Sequence, residues 1–110
     1  DTMPVYNKLV RDLIPKIIEE AGKSFTTRTL SDEEYRQELR KKAFEELEEY
    51  MNASDDVTAV EELADLLEII HALAECHGAT IEQVEAVRAS KAEKRGGFKE
   101  KIFLIEVHDE

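Results

Sequence analysis

LRKKAFEELEEYMNASDDVTAVEELADLLEIIHALA, residues 39–74, reads as two helices joined by a polar loop. At 100° per residue, Leu39, Ala43, Leu47 and Tyr50 line one stripe of the first helix. Residues 52–56 form the loop. Beyond it, Val60, Leu63, Leu67, Ile70 and Ala74 form a second stripe, widened on one side by Leu66, Ile69 and Leu73. Both stripes contain acids. Glu46 falls inside the first, with Glu49 at its margin. Glu62 falls among Leu66, Ile69 and Leu73, with Asp65 beside it. Each helix therefore carries a carboxylate pair, spaced i, i+3, at the edge of its packing face.

Working outward, Ser31-Asp32-Glu33-Glu34 is a capping box that opens the first of these helices and runs it to about Met51. Thr58 and Glu61 repeat the spacing and start the next, which reaches about His77 before Gly78. Thr80 and Gln83 open another, ending near Arg95 at Gly96-Gly97. Upstream, Asp12 is placed to cap a helix that takes Pro15 in its first turn and stops at Gly22. Residues 24–30 (SFTTRTL) and 98–107 (FKEKIFLIEV) read as short strands able to pair. The expected architecture is all-α: an antiparallel bundle of about four helices, with a small two-stranded β element from residues 24–30 and 98–107. The 110 residues form a single domain, with Asp1 and Thr2 read as additions ahead of Met3. A chain this short gives a bundle a thin core, so self-association is expected to supplement it.

Composition narrows the function. Fifteen Lys and Arg stand against 26 Asp and Glu, a formal charge of −11. That balance argues against binding a nucleic acid polymer or an anionic membrane. No apolar run approaches a membrane span and no signal-peptide pattern stands at the start. A single cysteine, Cys76, fits a reducing cytoplasm.

The charge is also unevenly spread. Between Ala43 and Val87 there is no Lys or Arg, against thirteen Asp and Glu. Like charges at helical spacing repel, so a helix selected for stability alone would interleave the signs. If the two central helices are antiparallel, the pairs Glu46/Glu49 and Glu62/Asp65 converge. Converging carboxylates stay ionised only with a counter-charge. A divalent cation is the economical one, and oxygen-only ligands favour Mg²⁺ or Mn²⁺ over Zn²⁺. The simpler alternative is that acids coat solvated helix faces. It accounts for Glu48, Glu68, Glu75, Glu82 and Glu85, but poorly for Glu46 and Glu62 inside apolar arcs. His71, Cys76 and His77 are poorly spaced for zinc and lack a fourth ligand. Tyr6, Tyr35 and Tyr50 are candidates for stacking on a base, although Tyr50 also fits a core position.

Glu45-Glu46-Leu47-Glu48-Glu49, followed by Glu61-Glu62-Leu63-Ala64-Asp65, resembles the EExxE…ExxD signature of the MazG-like all-α nucleoside triphosphate pyrophosphohydrolases. The opening Tyr6-Asn7-Lys8-Leu9-Val10-Arg11-Asp12 and the closing Lys91…Arg95-Gly96-Gly97-Phe98 resemble the single-domain branch described as phosphoribosyl-ATP pyrophosphohydrolase-like. The resemblance implies a Mg²⁺-dependent enzyme that cleaves a nucleotide between its α and β phosphates, releasing a monophosphate and pyrophosphate. It implies Glu46, Glu49, Glu62 and Asp65 as metal ligands, and a homodimer or homotetramer. Glu45, Glu46 and Glu49 are the catalytic candidates. Glu45 is one choice for the group that takes a proton from the attacking water, with Glu49 or Asp65 as alternatives. Lys8, Arg11, Lys91, Lys94 and Arg95 are candidates to contact the substrate's phosphates; at the end of a helix the last three also suit the helix dipole. Phosphoribosyl-ATP and non-standard or excess dNTPs are both plausible substrates. The competing expectation is a non-catalytic acidic helical module that binds a basic protein. It requires exposed acids, whereas the hydrolase requires Glu46 and Glu62 to face inward.

Overall fold

The computed structural model describes residues 5–109; the reading of Asp1 and Thr2 as additions lies outside them. Four helices follow in order: α1 (Ile14–Glu20), α2 (Asp32–Met51), α3 (Asp56–Cys76) and α4 (Ile81–Arg95). The all-α bundle expected from the periodicity is the fold.

The caps explain the boundaries. Ser31 Oγ accepts from the Glu34 N–H and Glu34 Oε1 accepts from the Ser31 N–H, both at 3.3 Å, so α2 opens on the expected capping box. Arg28 clamps the same Glu34 carboxylate through both terminal nitrogens, at 3.3 and 2.9 Å. The guanidinium and the Ser31 donors hold Glu34 down at about 2. Thr80 and Gln83 form the second box at the start of α4. Two starts differ from expectation. Asp55 caps α3, its Oδ1 accepting from the Thr58 N–H at 2.8 Å; the helix starts at Asp56, which puts Thr58 inside the first turn with its own N–H the one to be capped. Leu13 is the N-cap of α1, with no side-chain hydrogen bond, and Asp12 lies one residue too early to serve.

The β element does not form: among the described residues there is no strand. Gly96, at φ 81°, breaks α4, and a turn closed by the Lys101 N–H on the Phe98 carbonyl sends the chain away. Residues 24–30 and 98–107 are left without a ladder between them.

Helices α2 and α3 run antiparallel. Arg36 Nη2 reaches the Cys76 carbonyl at one end while Glu46 and Glu49 meet Glu62 toward the other. Leu39, Ile69 and Ala74 are the buried core, with Leu66 and Leu73 half-buried beside them. The face of α3 turned to α2 is thus the side carrying Leu66, Ile69 and Leu73. The stripe of Val60, Leu63, Leu67 and Ile70 points outward and is exposed, as is Leu47 on α2. No residue of α4 is fully buried. The radius of gyration is 19.1 Å, against about 13 Å for a compact domain of similar length.

Candidate metal centre

The inward face of α3 is also the face that holds Glu62 and Asp65. Glu62 and Asp65 share it with Leu66 and Ile69, one helical turn away. On α2, Glu46 lies one turn from Ala43 and Tyr50 on the inward side. Antiparallel packing then superposes the two acid-bearing turns.

One carboxylate oxygen from each of Glu46, Glu49 and Glu62 lies within 4.8 Å of the other two. Glu46 and Glu62 are half-buried and Glu49 is exposed. Three oxygens at this spacing form a cluster able to hold a metal ion. Among the described residues it is the one convergence of three or more His, Cys, Asp or Glu side chains. His71, Cys76 and His77 are not part of it.

Two atoms show that the cluster is incomplete on its own. Glu46 Oε2 and Glu62 Oε2 are buried and have no hydrogen-bond partner. A buried carboxylate oxygen without a donor is costly, because it has lost water and gained nothing. The electrostatics agree. Burial, then the neighbouring Glu49 and Asp65 carboxylates and Glu62, push Glu46 up to about 7. Glu62 is raised as well, chiefly by the adjacent Glu49 carboxylate. The group is short of positive charge, which either a shared proton or a cation supplies. Oxygen donors alone suit a hard divalent ion.

The fourth expected ligand is engaged elsewhere. Asp65 Oδ1 accepts from Arg11 Nη2 at 2.8 Å, across 54 positions of sequence. Arg11 comes from the segment ahead of α1, so the opening motif reaches the acidic seam. Asp65 still lies close enough to Glu46 to raise it. The structure thus joins three of the four predicted carboxylates and holds the fourth alongside in an ion pair. Sequence spacing gave no sign of that pair, since nothing local links residue 11 to residue 65.

Glu45 is exposed and lines an open hollow of about 520 Å³ with Glu48, Glu49, Asn52, Ser54, Thr58 and Glu62. This hollow borders the cluster through Glu49 and Glu62. The polar loop between α2 and α3 is therefore part of the candidate site, which helix periodicity alone did not indicate. Lys91, Lys94 and Arg95 line a separate hollow of about 430 Å³ on α4 that shares no residue with the acidic one. Lys8 sits over the Tyr6 ring at 5.5 Å from its centroid. Of the five predicted phosphate-contacting residues, Arg11 is the one bonded to a member of the acid quartet. Tyr50 and Tyr35 are half-buried, and burial raises the Tyr35 hydroxyl.

Comparison with family models, with curated proteins and with solved structures finds no match for this chain. Among the described residues, no helix is long and apolar enough to cross a membrane.

Proposed function

We propose that the protein is a Mg²⁺-dependent nucleotide pyrophosphohydrolase of the cytoplasm, acting on an NTP-like or dNTP-like substrate. The observation that carries this reading is the pair of donorless buried oxygens, Glu46 Oε2 and Glu62 Oε2, on two residues whose carboxylates meet in one acidic cluster. Acids that only solvate a helix surface leave their oxygens in water. The inward placement of Glu46 and Glu62 counts against the acidic interaction module. The likeness of three ordered motifs to the MazG-like superfamily supplies the reaction class, including cleavage between the α and β phosphates.

Glu46, Glu49 and Glu62 would hold the ion. When bound, Mg²⁺ neutralises phosphate charge and makes an attacking water more acidic. Glu45, on the rim of the adjoining hollow, would accept that water's proton, with Glu49 or Asp65 as the alternatives. Arg11, paired with Asp65, would exchange that bond for one with a phosphate, leaving Asp65 free for the ion.

Incubating the protein with a panel of (d)NTPs and phosphoribosyl-ATP, with and without Mg²⁺, and assaying pyrophosphate tests the proposal. Mg²⁺-dependent release from at least one nucleotide is expected. Release of orthophosphate instead would contradict the assigned cleavage position, and no turnover of any substrate would favour the interaction module.

A further inference from the structure

The chain exposes 10317 Å², whereas a folded monomer of this mass exposes about 6,200 Å². Two exposed apolar surfaces stand out within it. The first is the outward stripe of α3, where Val60 is 64% and Leu67 50% exposed. The second is the segment after α4: Phe98, Ile102, Phe103, Leu104, Ile105 and Val107 are 72–98% exposed. A solvated monomer rarely leaves so much contiguous apolar surface open.

The two surfaces fit one another in length and in charge. Beyond the turn at 98–101, the six residues 102–107 span about 20 Å when extended, which fits within the roughly 31 Å covered by the 21 residues of α3. Residues 88–101 carry six Lys and Arg against two Glu, while residues 43–87 carry thirteen acids and no Lys or Arg. A basic helix end followed by an apolar arm complements an acidic helix with an open apolar stripe. Within its own chain the arm is turned away beyond Gly96 and is not packed against the helices.

We propose that residues 98–107 are an exchange arm that packs along the outward stripe of α3 in a second copy of this chain. Two-fold symmetry satisfies both halves at once: each copy gives one arm and receives one. A permanent dimer buries roughly 2,000–5,000 Å² in total, and the whole chain exposes about 4,100 Å² more than a compact monomer of its mass, so an interface of that size is within what this chain leaves open. The cationic end of α4 travels with the arm, which brings Lys94 and Arg95 toward the other copy's acidic half.

Sedimentation equilibrium of the full chain at micromolar concentration tests this without metal or nucleotide, so its failure is separable from failure of the hydrolase reading. The wild type is expected to have twice the chain mass. The double variant Phe103→Glu, Ile105→Glu is expected to keep its far-ultraviolet helical signal and to weaken dimerisation by roughly two orders of magnitude. Leu67→Glu, on the receiving face, is expected to do the same, again with helicity retained. A monomeric wild type would overturn the proposal. So would a dimer that survives the arm substitutions unchanged, which would place the contact on another surface.

Discussion

Glu46 on α2 and Glu62 on α3 each bury one carboxylate oxygen, Oε2, with no donor for either, and their carboxylates approach within 4.8 Å. The relationship follows from antiparallel packing of two helices whose acids lie inside apolar arcs. Apolar burial of Leu39, Ile69 and Ala74 holds the seam together, and the acids are carried into it at a cost. Such a cost is recovered when a cation or a proton arrives.

The first consequence is a pH dependence of stability without metal. Glu46 rises from 4.5 to about 7 on folding, and Glu62 is also raised. Between these values the folded protein binds more protons than the unfolded chain, so stability is full below about 4.5 and is lost as pH rises through about 7. For Glu46 alone, allowing for solvent screening, the loss is on the order of 1–2 kcal/mol, or a fall in Tm of roughly 4–8 °C. Glu34, Asp55 and Glu85 are lowered, so their contribution changes only at more acid pH. Thermal melts in chelator at about pH 5 and about pH 8 check the sign, and saturating Mg²⁺ is expected to remove the difference. A flat metal-free profile would contradict it.

Glu46→Gln removes the most strongly shifted carboxylate while keeping its volume. In chelator at about pH 8 its Tm is expected to equal or exceed that of wild type, because one like charge has gone. Mg²⁺ is expected to stabilise it much less. Glu62→Gln is expected to behave alike and to abolish pyrophosphate release. Full activity of either variant would refute the ligand assignment.

Arg11→Ala separates a structural ion pair from a competitor for the metal. The Arg11–Asp65 pair is exposed, so its loss should cost only about 0.2–1 kcal/mol of stability. Asp65 would then be free to join Glu46, Glu49 and Glu62. Calorimetric titration without nucleotide is expected to show Mg²⁺ binding tightened by up to about fivefold. Nucleotide KM is expected to rise, since the same guanidinium would face phosphate. Weaker metal binding would show that Arg11 positions Asp65 instead of withholding it.

Asp55→Ala removes the cap that opens α3. A cost of about 1 kcal/mol in denaturant unfolding is expected. Thr58→Ala is expected to cost less than Asp55→Ala, because Asp55, not Thr58, supplies the capping oxygen. The reverse order would restore the Thr58 capping box.

Much of the architecture was legible because helix signals are local. Ser31/Glu34 and Thr80/Gln83 announced two starts by spacing alone, and Gly96 announced a stop. The inward placement of Glu46 and Glu62 followed from 100° turns. What escaped was set at long range. Helix α3 is apolar on two sides, and periodicity could not say which one meets α2; the broader stripe through Leu63 and Leu67 proved to be the exposed one. Residues 24–30 and 98–107 have strand-like composition, but a strand needs a partner, and α4 carries the second segment away. The engagement of Asp65 by Arg11 depends on tertiary geometry with no counterpart in local sequence.

Titration of the protein with Mn²⁺ in the absence of other metals, followed by electron paramagnetic resonance of the free ion, reads the carboxylate cluster itself. A saturable site is expected, lost in both Glu46→Gln and Glu62→Gln and competed away by Mg²⁺. Binding absent in the wild type, or unchanged in both variants, would contradict it.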